Sequence, residues 1–253
     1  MLRENLDCVH WHILSANPHD AAVDFLLNEH PDKLDWAQLS ANHNDKAVTY
    51  LMHPANHRFY PEWDWANLSL NSNDRIVDML LDNEEHIHWA NLSGNPNPRA
   101  AALLLKNQDK IDWDAFARVA DDASIDLFLT TERMECLDWT AMAMNPGKRA
   151  VELVRNHLMA HTDVIHGLRS EGGPPQIRRA ATMWEKIKPV WNSFSMNPSD
   201  DAVDFIVANP GYMSWDFLCF NPSDRAISML EKNRNRVDWE ILSYNPNPLL
   251  WAR

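Results

Sequence analysis

Glycine is scarce in this chain, six residues in 253, beside fifteen prolines. An all-β fold would need more glycine in its turns, so the ratio favours capped helices. Cysteine is scarcer still. Cys8, Cys136 and Cys219 are odd in number, far apart and without a CxxC pair, the pattern of reduced thiols in a cytosol-like, cytoplasmic setting. No apolar run reaches the length of a membrane helix, and the opening MLRENLDCVHW holds no apolar signal core. Catalytic signatures are missing too: there is no phosphate-cradling glycine loop, HExxH, GxSxG or kinase set. Twelve histidines include His157 and His161 four apart with His166 following, and the pairs His10/His12 and His86/His88. None comes with the third and fourth ligands of a zinc site, so no metal and no cofactor are expected. Lys and Arg, 23 in all, are outnumbered by 36 Asp and Glu for a net charge of −13. That balance argues against a general duplex-binding surface and reads first as a solubilising surface, second as one for a basic partner.

What is abundant is repetition. WANLSGNPNPRAAALLLKNQDKIDW, from Trp89 to Trp113, recurs in near-copies headed by Trp11, Trp36, Trp65, Trp89, Trp113, Trp139, Trp191, Trp215 and Trp239. The modal spacing is 24 residues, with 25, 26 and 29 also used and one gap of 52. A fixed period of this length marks a repeat array. Counting from each Trp, an apolar residue stands at +3, from Leu14 through Leu92 to Leu242, and Asn at +6: Asn17, Asn42, Asn71, Asn95, Asn145, Asn197, Asn221 and Asn245, with Val119 the exception. Pro often follows that Asn, an apolar block comes next, and a second Asn often closes the unit, at Asn28, Asn83, Asn107, Asn209 and Asn233.

That order predicts two short helices per unit. Asp35, Asp64, Asp112, Asp138 and Asp238, each just before a Trp, fit a first N-cap. The Asn of Asn-Pro fits a second, with Pro at the first helical position, so Asn95→Ala is expected to cost about 1 kcal/mol as a lost cap. Asp20, Asp45, Asp74, Asp200 and Asp224 then sit where the helix dipole favours an anion, and the closing Asn suits a left-handed residue past the helix end. Helices this short are marginal alone, and Ala100, Ala101, Leu103, Leu104 and Leu105 make too wide an apolar stripe for one neighbour. Each pair must be sandwiched by the units before and after it, as in a solenoid. The tryptophans Trp36, Trp65, Trp89, Trp113, Trp139, Trp191, Trp215 and Trp239 are read as a stacked core ladder rather than a ligand-stacking row. Each contributes roughly 4–6 kcal/mol at most if fully buried. The fold expected is therefore all-α: one right-handed-type α-solenoid domain over residues 1–253, about ten repeats of 24–26 residues. Asn67-Leu-Ser and Asn91-Leu-Ser match glycosylation sequons but fall inside first helices, so they are read as repeat structure.

The array has five irregularities. Residues 1–10 resemble the tail of an earlier unit, and residues 52–64 carry an insertion expected to loop out on one face. Around 113–138 the Asn-Pro is lost. Around 165–190 the long gap reads as an eroded tenth unit, with Ile165 in the Trp position and SEGGPPQ at 170–176 as the strongest breaker run. The chain stops at Leu249-Leu250-Trp251-Ala252-Arg253, just after a second helix should begin, leaving a capping stub, a truncation or a self-associating end as readings.

Two cation sets are the binding candidates. Arg169, Arg178, Arg179, Lys186 and Lys188 concentrate in the eroded unit of an otherwise acidic chain, where departures from a consistent pattern point to function; the alternative is a drifted unit with a solvated loop. Lys46, Arg75, Arg99, Arg149 and Arg225, all at +10, would line up along one edge, interrupted by Ala21, Ala123 and Asp201. Such a row can grip an acidic peptide or a phosphate backbone, but pairing with Asp of the adjacent unit is the commoner outcome.

The repeat resembles one found in proteins of giant DNA viruses, LS-x-NP followed by an apolar helix and a DW or IDW turn. DWAQLSAN at 35–42, WANLSGNP at 89–96, KIDW at 110–113 and DWEILSYNP at 238–246 carry the likeness. It covers nearly the whole chain except the units around 119 and 165. The resemblance implies a viral or virus-derived intracellular protein and, by analogy with ankyrin arrays, a non-enzymatic scaffold that binds other proteins. Rival expectations are an acidic nucleic-acid mimic, a single-stranded RNA binder using the +10 row and, last, an enzyme using residues 157–190.

Overall fold

The computed structural model describes residues 6–56, 63–131 and 134–250. Its described residues are helical throughout, without strands, and gather into two compact units, Met1–Phe116 and Ala117–Arg253. Within each, consecutive helix pairs stack in chain order, as expected of an all-α solenoid. None of these helices is long and apolar enough to cross a membrane.

The local chemistry repeats with the sequence. First helices start at the Trp, as in Trp36–Ala41, Trp65–Leu70 and Trp89–Ser93. All five expected Asp caps form: Asp35, Asp64, Asp112, Asp138 and Asp238 each accept a backbone N–H of the first turn at 2.8–3.1 Å. Second helices follow, as in Asp45–Leu51, Asp74–Leu81 and Pro98–Lys106, and a short 3-10 turn such as Glu84–His86 or Gln108–Lys110 leads to the next unit. The core is drawn from three places in each unit. Position +3 is buried from Leu14 to Leu242, and so are +12 and +15 of the second helix, as at Val77 and Leu80 or Val203 and Ile206. Cys219 takes the small buried place that Ser holds at +4 in other units.

Four expectations are corrected. First, the Asn at +6 is not the second N-cap. The second helix starts three residues later, and the cap is at +8: His19, Asn44, Asn73, Asn97, Asp121 and Ser223 each accept a first-turn N–H. Second, the closing Asn is not left-handed: Asn83, Asn107, Asn209 and Asn233 have φ of −137°, −119°, −123° and −127°. Each instead donates its side-chain amide to the carbonyl four residues back, satisfying a helix-end acceptor. Third, the tryptophans are not a buried ladder. Among the described residues only Trp191 is fully enclosed, and Trp239 is 60% exposed. A first helix of one or two turns points +3 and +4 into the stack and leaves the Trp at its edge. There the ring is covered by its own unit: His86 stacks on Trp65 at 4.5 Å, and Lys110 and Arg236 lie over Trp89 and Trp215 at 4.1 and 5.4 Å.

Fourth, residues 165–190 are not a separate helix pair. The second helix of the Trp139 unit runs on as Lys148–Glu171, and Pro174–Ser195 returns to supply the first helix of the Trp191 unit. The result is a helical hairpin inserted between two regular units. Of the 52–64 insertion, Pro54–Asn56 forms a 3-10 turn and 57–62 lie outside the described residues, as do 1–5 and 251–253.

The buried Asn at +6 has a different task. Its side-chain Nδ2 donates to two backbone carbonyls of the preceding unit, at 2.7–3.0 Å, for Asn42, Asn71, Asn95, Asn145, Asn197, Asn221 and Asn245. Its Oδ1 accepts the N–H two residues on, as Asn97 donates to Asn95 at 3.0 Å. Two of the three bonds of this enclosed amide stitch its unit to the one before, and the third holds the turn into the second helix. Asn197 reaches Ala143 and Asn145 across the whole hairpin, both at 2.8 Å, so the insertion leaves the stack uninterrupted. A second, shallower row runs beside it: Asn44, Asn73, Asn97 and Asn247 reach back to Asp20, Asp45, Asp74 and Asp224.

Candidate interaction site on the helical hairpin

The two cation sets prove to be in opposite states. In the regular units the +10 cation meets the +13 residue of the preceding unit. Lys46 bonds Asp24 at 2.6 Å, Arg99 bonds Asp78, Arg149 bonds Asp126 at 2.7 Å, and Arg225 bonds Asp204 at 2.5 Å. Where +13 is Thr49, Arg75 donates to its hydroxyl at 2.8 Å. Hydrogen bonds donated to their carboxylate partners hold Lys46, Arg99 and Arg149 above their usual pKa ranges, Glu152 being the stronger influence on Arg149. The +10 row is thus occupied with internal pairing.

The hairpin cations are not. Arg169, Arg178, Arg179, Lys186 and Lys188 are all exposed, and none has an ion-pair partner among the described residues. Residues 148–195 hold eight Lys and Arg against four Asp and Glu, a net of +4, so the rest of the chain carries −17. The hairpin is a basic island on an acidic protein.

Its shape follows from local sequence. Val154, Leu158, Thr162, Ile165 and Leu168 are buried at helical spacing on the first arm, and Ala180, Ile187, Val190 and Phe194 on the second. This apolar seam zips the arms together. Gly172 and Gly173 turn the chain with φ of 70° and 89°, values L side chains rarely adopt, and Pro174 opens the second arm where its missing N–H costs nothing. Pro189 lies inside that arm two residues before Trp191, where the inserted sequence rejoins the repeat.

One flank of the hairpin is closed. Trp191 stacks on Phe205 and Tyr212 at 5.6 and 5.0 Å, Trp184 meets Tyr212 at 5.6 Å, and His166 bonds the Tyr212 hydroxyl. The opposite flank is open over a cavity of about 490 Å³ lined by Leu137, Trp139, His157, His161, Met183 and Lys186, with Ile187 and Val190 at the back. The His157 ring stacks on Trp139 at 3.7 Å between centroids, 15° from parallel, and His161 lies 4.3 Å from His157. His161 Nδ1 is 2.9 Å from the His157 carbonyl. Burial, and secondarily His161, push His157 down to about 4, so its ring is neutral near pH 7. Asp138 is engaged at 2.8 and 3.0 Å with the N–H groups of Thr140 and Ala141. The cavity floor therefore offers aromatic and aliphatic surface, and Lys186 stands at its rim.

The sequence pointed to the hairpin cations but not to this cavity. One signal was available: His157 stands at +18, where Asn83, Asn107, Asn209 and Asn233 stand in other units. A second cavity, about 590 Å³ in Met1–Phe116, is lined by Asp45, Lys46 and Thr49, whose polar groups are already joined to neighbouring units. Among the described residues no group of three His, Cys, Asp or Glu is placed to hold a metal ion. A scan against family models matches none, and comparisons with curated proteins and with solved structures likewise give no match.

Proposed function

We propose that this protein is a non-enzymatic repeat scaffold that binds another protein through the helical hairpin. The observation that carries the reading is the contrast between cations: those of the regular units are bonded internally, while five on the hairpin face solvent without an ion-pair partner among the described residues. Unpaired like charges held on a rigid element favour an oppositely charged partner and speed its encounter. The resemblance to a repeat of giant DNA viruses supports a viral or virus-derived protein working in a host cytoplasm or in virion assembly.

The nucleic-acid rivals draw less support. An RNA-binding row would need the +10 cations free, and they are bonded to Asp24, Thr49, Asp78, Asp126 and Asp204. A nucleic-acid mimic would need an ordered stripe of carboxylates, whereas many here cap helices or answer those cations.

The test is affinity capture from host-cell lysate with the intact chain and two variants. One replaces Arg169, Arg178, Arg179, Lys186 and Lys188 with Ala; the other replaces Lys46, Arg75 and Arg99. A discrete protein lost only by the first supports the hairpin site. A protein lost only by the second, or retention by both, overturns it.

A further inference from the structure

We propose that the open flank of the hairpin is a groove for a short acidic segment of the partner protein. An apolar side chain of that segment would enter the cavity against Trp139, Met183 and Ile187, and its carboxylates would meet Lys186 and Arg179. This rests on the hairpin being the partner site and names the chemistry of what docks there.

Three observations converge. First, the cavity is apolar where it is deepest: Leu137, Ile187 and Val190 are buried, and the aromatic pair Trp139–His157 forms another wall. Among its polar members Asp138 caps a helix and His157 is neutral near pH 7, while Lys186 is exposed. A side chain that passes Lys186 to the buried wall of Leu137, Ile187 and Val190 meets apolar surface, so the occupant's inserted side chain is apolar and its charges stay beside Lys186. Second, Arg179, Met183, Lys186 and Val190 recur at helical spacing on one face of the Pro174–Ser195 arm. Unpaired cations thus lead from the cavity towards the hairpin tip, and an acidic chain laid along that face meets them in turn. Third, the island is small. Its +4 is set in a protein carrying −17 elsewhere. A long polyanion or an anionic membrane would be attracted at the hairpin and repelled beyond it, whereas a segment shorter than the arm meets only the attractive part. The open flank and about 490 Å³ suit one or two side chains entering from an extended or helical peptide.

The experiment uses the full chain as bait for a displayed random-peptide library, followed by fluorescence anisotropy with the selected peptide. The expected selection carries Glu or Asp flanking a Leu, Phe or Met. Met183→Trp, which fills the cavity, and Arg179→Glu with Lys186→Glu, which reverses the rim, should each weaken that peptide by about tenfold or more, while Arg99→Glu leaves it unchanged. Circular dichroism melts of the variants exclude unfolding as the cause, and Thr182→Glu on the same arm serves as a second, fully exposed perturbation with a smaller loss. Three outcomes overturn the proposal: no acidic consensus; a selected peptide insensitive to Met183→Trp; or tighter binding of oligo-dT or of phosphatidylserine vesicles than of any peptide. The wider reading fails separately. A lysate partner that survives the five-cation variant removes the hairpin from partner binding altogether, whereas one lost by that variant but kept by Met183→Trp removes only the groove.

Discussion

Within residues 117–253 two kinds of surface lie side by side. On the regular units each +10 cation has a carboxylate of the preceding unit within reach, as Arg149 has Asp126 and Arg225 has Asp204. On the hairpin, Arg169, Arg178, Arg179, Lys186 and Lys188 stand on longer helices without an ion-pair partner among the described residues. The difference shows that a row of like residues in a repeat says little until the facing position is read with it. The two positions travel together in the regular units, whereas across the hairpin Glu152 precedes Asp201. Asp24 precedes Lys46, Asp78 precedes Arg99 and Asp126 precedes Arg149, while Ala102 precedes Ala123. Where the acid is missing, the cation is missing or, at Arg75, turns to a hydroxyl.

The comparison can be broken, or sharpened, by substitutions of decreasing severity. Trp191 lies where the hairpin joins the stack and is fully enclosed, so Trp191→Ala should lower stability by about 3–5 kcal/mol in denaturant titration; a loss under about 1 kcal/mol would mean the hairpin is not packed into the stack. Asn71→Ala removes two donors and an acceptor from a site without solvent access and should cost about 2–4 kcal/mol, well above the cap value expected from sequence. Trp89 is only half-buried, with Lys110 over it, and Trp89→Ala should cost about 1–2 kcal/mol. A result as large as that of Trp191 would restore the core-ladder reading.

Smaller effects concern charge. His157 folds with a pKa of about 4, below the usual 6.5. Between those values the unfolded chain binds a proton that the folded chain does not, so stability is greatest above pH 6.5 and is lost as pH falls towards 4. His157→Phe keeps a ring beside Trp139 and removes the proton, so its melting temperature should fall less than that of the wild type between pH 7 and pH 5. Equal falls would place His157 outside the acid response. Least of all, Arg99→Ala and Arg178→Ala should both leave the melting temperature within experimental scatter, because exposed charges contribute little to stability whether paired or not. Only the second should weaken a partner.

Much of this was legible before the fold was seen. The period, the Asp caps and the buried +3 residues follow from short-range rules that each unit obeys alone, and the pairing of the +10 cations follows from the Asp that recurs at +13 of the preceding unit. The misreadings share one cause. The Asn at +6, the closing Asn and the Trp were each assigned by what a single helix needs, but their positions are decided by the neighbouring unit or by the unit's own 3-10 turn. An Asn before Pro such as Asn95 looks like a cap until its amide is found bonded to carbonyls 24 and 26 residues earlier. The hairpin was hidden because Ile165 and Leu168 kept the repeat's spacing while serving a longer helix. The cavity lay beyond sequence reasoning because it is enclosed by residues from 137 to 190 that no local pattern brings together.

The reach of Asn197 to Ala143 and Asn145 has one further consequence. It gives the chain two independent measures of distance, one along the backbone and one in ladder steps. The hairpin lengthens the first by 28 residues, the excess of a 52-residue gap over a 24-residue period, and leaves the second at a single step. On the function proposed above, recognition and support are written in separable passages. A different hairpin spliced between the same two asparagines is expected to leave the stack beneath it in place.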